Sequence, residues 1–266
     1  MLKTAIAVDA DLASRIAIRC ACQLGRSIDM SVGTIHALEP GEEGHAIATG
    51  WVRQTWEDAV VRESMDQVTR LVKSEQAGCR MLEPPLFLPP ENDRGDRIAR
   101  HLRSNHCNLF VEGFLHRYKP DLFMEKIGSR FYRTLPCPTL MAQNVPPMSK
   151  GVLWLSQGKV TEKMMETYLG IFPNQAIELE LLICRFGKNP SAAAKDSSSA
   201  SGVEPAVSFF ESAGGTIKNI STVEGSPSSM AALVRDHFLI VSSVPPQNSL
   251  MAQLLSKSPC SLLFLP

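Results

Sequence analysis

Short apolar runs alternate with longer amphipathic segments along most of this chain. The run Thr4–Val8 ends at Asp9, and the segment Asp11–Gly25 then repeats apolar residues at steps of four before it closes on glycine. Such a run predicts a buried strand, and such a segment predicts a helix. Because the two kinds of segment alternate, the pattern predicts an α/β protein with a doubly wound parallel sheet and helices on both faces.

The pattern predicts strands in two sets. In the first set the strands are Thr4–Val8, Met30–Leu38, Cys79–Leu88, Asn108–Gly113 and Cys137–Gln143, with helices Asp11–Gly25, Trp51–Gln76, Asp93–Ser104 and one that begins near Asp121. In the second set the strands are Gly151–Leu155, Ile177–Cys184, Thr216–Ser221, Phe238–Ser242 and Cys260–Leu265, with helices Thr161–Phe172, Pro205–Ala213, Pro227–Asp236 and Gln247–Ser256. Cys79–Leu88 contains prolines, which suit a strand at the edge of a sheet.

The end of the first set is repeated at the end of the chain. Cys107–Gln143 and His237–Pro266 both run from a buried strand through a loop and a helix to Pro-Cys and an apolar strand. Val145–Ser149 separates the two sets and is typical of a stiff linker. The sequence therefore predicts two domains of one topology, residues 1–144 and a shorter 150–266, each with a five-stranded sheet.

Composition and charge narrow the class of protein. Of the 266 residues, 27 are Lys or Arg and 27 are Asp or Glu, and each sign contributes 18 within residues 1–145. Neither half has the basic excess of a nucleic-acid binder, so we expect no nucleic-acid partner. No apolar run approaches the length of a membrane span, Asp9 interrupts the N-terminal apolar run, and the seven cysteines form no Cys-x-x-Cys pair. We expect a cytoplasmic protein with no membrane association.

Three stretches resemble the universal stress protein family in its tandem two-domain form. They are Ala5–Asp11 (AIAVDAD), the long second helix, and Asn108–Gln143, in which a strand, a glycine loop, Gly-Ser, a helix and a Pro-Cys-Pro strand follow one another. The resemblance covers most of residues 1–144 and, much more weakly, 150–266. It implies an adenine-nucleotide alpha-hydrolase-like sheet of order 3-2-1-4-5 in each domain, and an intramolecular pseudo-dimer in which the apolar fifth strands pair.

The resemblance also implies a function. We expect a non-enzymatic protein with a stress-response or regulatory role, acting by docking to a protein partner. The identity of that partner stays open, as does further pairing of the chain into a homodimer. ATP or another adenine nucleotide is expected to bind at most weakly, and only in the first domain.

The nucleotide loop of the ATP-binding family members departs from its usual form here. Backbone N–H groups of small residues close around the phosphates at the start of the following helix. Gly113 is followed after two residues by His116 where those members have glycine, and eleven residues, not nine, separate His116 from Gly128. His116 brings a Cβ to a position where the backbone should approach a phosphate, which the basic side chains of Arg117 and Lys119 compensate in part.

Six residues form the candidate nucleotide site by resemblance. Asp9 would face the adenosine, Gly113, Gly128 and Ser129 would face the phosphates, and His116 and Arg117 would bind the phosphates through their side chains. Each has a structural interpretation as well: a helix cap for Asp9, a tight turn for Gly113, a helix position packed on the sheet for Gly128 and Ser129, and a solvated loop for His116 and Arg117. No catalytic or metal-ligating residue is predicted.

The second domain lacks the corresponding residues. Ser156 ends its first strand where an Asp is expected, and Val241–Ser249 contains two prolines and no glycine. The alternative to a stress protein is an ATP-binding enzyme of the ATP-pyrophosphatase type. That chemistry requires a Ser-Gly-Gly loop after the first strand, and Val8–Leu12 offers neither a glycine nor a hydroxyl. The strand ends also suggest no Ser/His/acid or Cys/His arrangement, so we expect no catalysis.

Overall fold

The chain folds into two compact units, Met1–Gly113 and Phe114–Pro266, in a computed structural model. The residues described are 1–38, 51–75, 84–89, 93–115, 119–145, 151–157, 160–173, 178–187 and 203–266, without the side chains of 51–58, 60, 152, 153, 155 and 156. The division at Gly113 differs from the repeat boundary expected from the sequence, because the last strand and helices of the first set pack within the second unit. The domain limits at 144 and 150 stay a prediction.

The first unit is an α/β layer built on four parallel strands. Its elements are β1 Leu2–Ala7, α1 Leu12–Leu24, β2 Met30–Ala37, α2 Trp51–Glu75, β3 Leu86–Leu88, α3 Arg94–Ser104 and β4 Leu109–Gly113. The strands lie in the order β3-β2-β1-β4, and all of the pairs are parallel. The predicted order 3-2-1-4 is therefore confirmed for this unit.

The helices of the first unit begin and pack where the sequence directs them. Asp11 caps α1 by accepting a hydrogen bond from the backbone N–H of Ser14 at 2.8 Å. The buried carboxylate of Glu75 at the end of α2 accepts hydrogen bonds from Arg19 on α1, at 2.5 Å from Nε, and from Arg15. Ile6 and Phe110, on β1 and β4, are fully buried beneath these helices. Apolar burial and the ion pairs of the buried Glu75 carboxylate with two half-exposed arginines thus fix α2 to α1.

Gly113 is required by close packing. A Cβ on Gly113 would clash with the backbone of Ala13 in α1, and a backbone cannot move aside as a flexible side chain can. The first turn of α1 therefore lies directly against the carboxyl end of β4, an approach that only glycine allows. Close packing against α1 thus accounts for the glycine, in place of the tight turn that the structural interpretation of the sequence offers, and the phosphate role of Gly113 stays a prediction.

The second unit is built on six strands. Its elements are α4 Pro120–Gly128, α5 Arg130–Arg133, β5 Thr139–Ala142, β6 Val152–Ser156, α6 Glu162–Ile171, β7 Leu179–Phe186, α7 Glu204–Ser212, β8 Ile217–Gly225, α8 Pro227–Val234, β9 Leu239–Ser243, α9 Leu250–Lys257 and β10 Ser261–Leu265. The strand order is β5-β10-β9-β6-β7-β8. When the strands of the second set, β6 to β10, are numbered 1 to 5 along the chain, their order in the sheet read from β8 is 3-2-1-4-5, as predicted. All pairs among them are parallel.

β5 adds a sixth, antiparallel strand to this sheet. Leu140 pairs with Leu263 of β10, and every residue of both strands is buried. Next to the β5–β10 pair, the rings of Tyr132 and Phe264 meet edge to face, with their centres 5.8 Å apart. The Ser261 hydroxyl accepts a hydrogen bond from the backbone N–H of Gln143 at 3.2 Å. The fifth strands of the two sets therefore pair, as the resemblance implies.

Three elements differ from the prediction. β3 spans Leu86–Leu88 and begins after Pro84 and Pro85, which cannot donate ladder hydrogen bonds, while the predicted start at Cys79 lies outside the described residues. The helix expected from Asp121 is broken at Ser129, whose extended backbone ends α4 and begins α5. β8 continues past Ser221 to Gly225, because β7 offers pairing partners along its whole length.

Among the described residues, none of the helices has the length and apolarity needed to cross a membrane. Cys22 in α1 is disulfide-bonded.

Replacing Gly113 by Ala tests the packing of α1 on β4. We expect Gly113→Ala to lower the free energy of unfolding by about 1–3 kcal/mol, because α1 must move away from the strand to admit the methyl group. The matched control is Gly33→Ala in β2, where a Cβ meets nothing closer than 4.0 Å and should be neutral or slightly stabilising. Urea denaturation followed by circular dichroism measures both. Equal stability of the two variants would show that the close approach is not required.

Candidate nucleotide site

Asp9 lies just beyond β1, at the carboxyl edge of the first unit's sheet. Its backbone N–H donates to the Ser14 hydroxyl at 2.7 Å, and that hydroxyl donates to Asp11 at 2.6 Å. The cap of α1 is therefore Asp11, and Asp9 is not needed for that role. Ligands of open parallel sheets bind at this edge, so Asp9 stands where a site is expected.

Both carboxylate oxygens of Asp9 have partners within the chain. Arg94, the first residue of α3, donates from Nη2 to Oδ2 at 2.7 Å. The Nδ1 atom of His36 in β2 lies 3.0 Å from Oδ1 and 2.7 Å from the carbonyl oxygen of Val8. The Asp9 side chain is one-third exposed, at 33%. A ligand that approached Asp9 would have to compete with a guanidinium and an imidazole.

The position of Arg94 follows from the start of α3. Asp93 caps the helix by accepting hydrogen bonds from the backbone N–H groups of Gly95 at 2.8 Å and Asp96 at 3.2 Å. One turn further, the buried Arg97 donates from Nη1 to the carbonyl oxygens of Leu38 at 2.6 Å and Pro89 at 2.7 Å. These bonds tie α3 to the ends of β2 and β3, so Arg94 is held over the sheet edge where Asp9 lies.

The charges of this cluster shift the pKa values of its members. Burial raises the pKa of Asp9, but the hydrogen bond from His36 and the charge of Arg94 outweigh it and lower that pKa to about 2. Burial likewise lowers the pKa of His36, yet its hydrogen bonds with Asp9 and Val8 and the negative charge of Asp9 raise the pKa overall. Asp9 is therefore ionised at neutral pH and His36 is more readily protonated than a free imidazole.

Ser64 of α2 completes a row of three residues that sequence reasoning missed. Its hydroxyl lies 3.4 Å from Nε2 of His36, whose Nδ1 faces Asp9. Serine, histidine and aspartate thus follow one another in the order of a hydrolytic triad. The serine is in the middle of α2, where backbone N–H groups serve the helix and form no oxyanion hole, and His36 is 7% exposed. We interpret the row as a structural hydrogen-bond chain.

The sequence did contain a signal for the missed residues. His36 comes near the end of the second strand, and Arg94 follows the third strand directly after the helix cap Asp93. The carboxyl ends of neighbouring parallel strands meet at one edge, so polar residues there converge with Asp9. Ser64 carries no such signal, because a serine within a long helix is common.

The remaining predicted site residues lie in the second unit or outside the described residues. Gly128 ends α4, and a Cβ there would come within 2.6 Å of the Gln247 side chain. Ser129 caps the four-residue α5 and accepts a hydrogen bond from the backbone N–H of Tyr132 at 3.5 Å. The structural interpretation, a helix position for both residues, holds for Gly128 at the end of α4 but not for Ser129, where the chain is extended before α5.

His116 and Arg117 fall in 116–118, which lie outside the described residues. Lys119, expected to assist them, is exposed directly before α4. Within the described parts of the chain, no three potential metal ligands of the His, Cys, Asp or Glu type lie together. In the second set, Ser156 ends β6 as expected, and Val244–Ser249 connects β9 to the cap of α9 without a glycine.

The titration of His36 tests the electrostatics of the cluster. We expect its NMR titration midpoint to lie above that of a free imidazole, to fall in Asp9→Asn, and to rise further in Arg94→Gln, because Arg94 disfavours the second positive charge. The control is Arg103→Gln, an exposed arginine on the same helix, which should leave the midpoint unchanged. Shifts of the same sign in the Asp9 and Arg94 variants would contradict this account.

The same pKa shifts fix the pH dependence of stability. Because the pKa of Asp9 is depressed, its contribution is present above the ordinary value of 3.8 and is lost as the pH falls through about 2. Because the pKa of His36 is raised, its contribution is complete below 6.5 and is lost as the pH rises through the raised pKa. The stability difference between wild type and His36→Gln should therefore shrink between pH 6 and pH 9, measured by urea denaturation.

Solved structures share this fold, although sequence comparison alone finds no relative. No protein-family model matches the sequence, and no curated protein matches it significantly. A universal stress protein from Archaeoglobus fulgidus DSM 4304 is similar with a TM-score of 0.64 at 10% identity, over 99% of this chain and 95% of its own. A functionally unknown protein from Pseudomonas aeruginosa PAO1 has a TM-score of 0.55 at 12% identity, with coverages of 99% and 92%.

A proposed universal stress protein from Pseudomonas aeruginosa UCBPP-PA14 is similar to the same extent. Its TM-score is 0.54 at 13% identity, over 99% of this chain and 92% of its own. Because these matches cover both sets of strands, the likeness extends to the repeat and is not confined to one domain. The chain therefore has, over its whole length, the α/β fold of the universal stress proteins.

Proposed function

We propose that this protein is a non-enzymatic universal stress protein of the cytoplasm that acts by docking a protein partner and binds ATP or other adenine nucleotides at most weakly. The observation that carries the proposal is the engagement of the Asp9 carboxylate by Arg94 and His36. An adenosine that used Asp9 would have to break a charged hydrogen bond in a partly buried cluster, and such bonds are among the stronger ones in proteins.

The glycines support the same conclusion, each within its own unit. The backbone of Ala13 fills the space beside Gly113, and the Gln247 side chain fills the space beside Gly128. At neither glycine is the space beside the Cα atom left open for a phosphate. Ser129 uses its hydroxyl to cap α5. The features that the resemblance assigns to phosphates are thus used by the fold itself.

Binding of a fluorescent ATP analogue tests the nucleotide part of the proposal. We expect wild type to show no saturable binding below millimolar concentrations, and Asp9→Ala to bind no better. Arg94→Gln, which releases the carboxylate, should gain affinity by about tenfold, a difference of about 1.4 kcal/mol. Arg103→Gln, a change of equal charge elsewhere on α3, is the control. Micromolar binding that depends on Asp9 would replace the proposal with that of a nucleotide sensor.

A serine-reactive fluorophosphonate tests the non-enzymatic part. Because the described residues provide no oxyanion hole beside Ser64 and its histidine is buried, we expect no labelling of the folded chain and no difference between wild type and Ser64→Ala. Intact-protein mass spectrometry measures the adduct, and a chain inactivated by urea gives the background. Labelling of wild type that is lost in Ser64→Ala and in His36→Gln would identify a hydrolase and overturn the proposal.

A further inference from the structure

β8 is the terminal strand of the sheet in the second unit. It spans Ile217–Gly225 and pairs in parallel with β7. Among the residues that the structure describes, no other strand pairs with β8. Its second edge therefore presents a row of backbone N–H and C=O groups to an incoming strand. The protein offers here a surface of the kind that proteins use for strand addition.

Several properties make this edge suitable for pairing. Nine residues are long for a terminal strand, whereas β3, at the end of the other set, has only three. The segment contains no proline, so every residue can donate to a ladder. Lys218, Asn219 and Ile220 are exposed, and Ile220 retains 46% of its accessible surface. Covering this apolar, β-branched side chain with a second strand would stabilise the pair, because cross-strand contacts favour such residues.

The charges of β8 are complementary to those of a second β8. In an antiparallel pair related by a two-fold axis at Ser221, Lys218 and Glu224 lie opposite each other, since each is three residues from the axis. The register against β7 shifts at Lys218, because Ile217 faces Leu179 and Asn219 faces Glu180, so this charge pair stands at the irregular end of β8. The same register places Ile220 opposite Thr222. Directly opposed residues of antiparallel strands have their side chains on the same face and in contact. Each copy of β8 therefore supplies the lysine of one charge pair and the glutamate of the other.

The neighbouring strand extends this complementarity. Lys218 is paired with Glu178 beside the start of β7 at 2.5 Å, and Glu224 lies 3.8 Å from Arg185 on β7. Across the seam these pairs would join into a row of alternating sign, from Glu178 through Lys218 to the second copy's Glu224 and Arg185. The two-fold axis generates an identical second row. Networks of this kind contribute more than isolated surface pairs do.

The charges also select one register. Shifting the second strand by two residues places Lys218 opposite Thr222 or beyond the end of the ladder, and leaves Glu224 without an opposed cation. Lysine on an edge strand opposes unspecific aggregation. Only in the symmetric register is the charge of Lys218 paired with the opposite charge of Glu224 from the second copy. A strand from an unrelated protein would have to supply the same two charges at the same spacing.

We propose that β8 pairs antiparallel with β8 of a second copy of this chain, about a two-fold axis at Ser221, so that the sheet continues from one chain into the next. The occupant is a second copy because the strand is complementary to itself. The proposal is independent of nucleotide binding at Asp9, which lies in the other compact unit.

Charge reversal tests the pairing of β8 with β8 of a second copy. We expect the full chain to be a dimer by sedimentation velocity. Lys218→Glu and Glu224→Lys should each weaken dimerisation by about tenfold or more, because each creates two like-charge contacts. An equimolar mixture of the two variants should recover the dimer, since each charge then meets its opposite. Lys163→Glu, at an exposed lysine on α6, is the control and should dimerise like wild type.

A cysteine placed on the two-fold axis locates the contact. Ser221→Cys should form an interchain disulfide under mild oxidation, identified by peptide mass spectrometry, because residue 221 faces itself. A cysteine in the Asn219→Cys variant faces Val223 of the second copy and should form far less interchain disulfide. A chain that stays monomeric, a dimer insensitive to both charge reversals, or a mixture that fails to recover would each overturn the proposal. Recovery in the mixture also shows that the single variants are folded.

Discussion

The second unit depends on the antiparallel pairing of β5 with β10. Every residue of the two strands is buried, and each strand would otherwise end a sheet with an apolar, hydrogen-bonding edge open to water. Pairing satisfies the backbone groups of both strands and removes that apolar surface from solvent in one contact. It also draws β5, encoded in the first set, into the sheet of the second. The compact units consequently divide at Gly113, before β5, and not at the linker.

A second constraint acts at the edge of the first unit's sheet. Asp9 is partly buried, and a carboxylate there is stable only when opposite charge or hydrogen-bond donors compensate its lost hydration. Arg94 and His36 supply that compensation, and Arg97 holds the helix that carries Arg94. The result is a neutralised cluster in a position where proteins of this fold class place ligands. The carboxylate oxygens of Asp9 that a ligand would use as acceptors already accept hydrogen bonds from the chain.

The glycines illustrate how one residue type serves two purposes. Sequence reasoning identified Gly113 and Gly128 as positions that need a missing side chain, which the rigid backbone beside Gly113 enforces and the flexible Gln247 side chain beside Gly128 does not. It left open whether a ligand or the protein fills the space. At Gly113 the answer is the backbone of Ala13, which is distant in the sequence, and at Gly128 it is the side chain of Gln247. Contacts at such sequence separation leave no local pattern, so only the tertiary structure could decide.

Hydrophobic periodicity by itself determined the order and type of most elements, because each strand and helix must bury an apolar face. It also determined the repeat and the identity of β5 and β10 as strands in need of cover, whereas the strand order was implied by the resemblance. It missed the break at Ser129 and ended β8 too early, since a cap and a long pairing partner decided those boundaries. The contacts among Asp9, His36, Ser64 and Arg94 were decided by tertiary structure, although the strand ends signalled that His36 and Arg94 would lie near Asp9. Asp9 and His36 meet because β1 and β2 end at one edge of the sheet, whereas Ser64 and Arg94 reach them from α2 and α3.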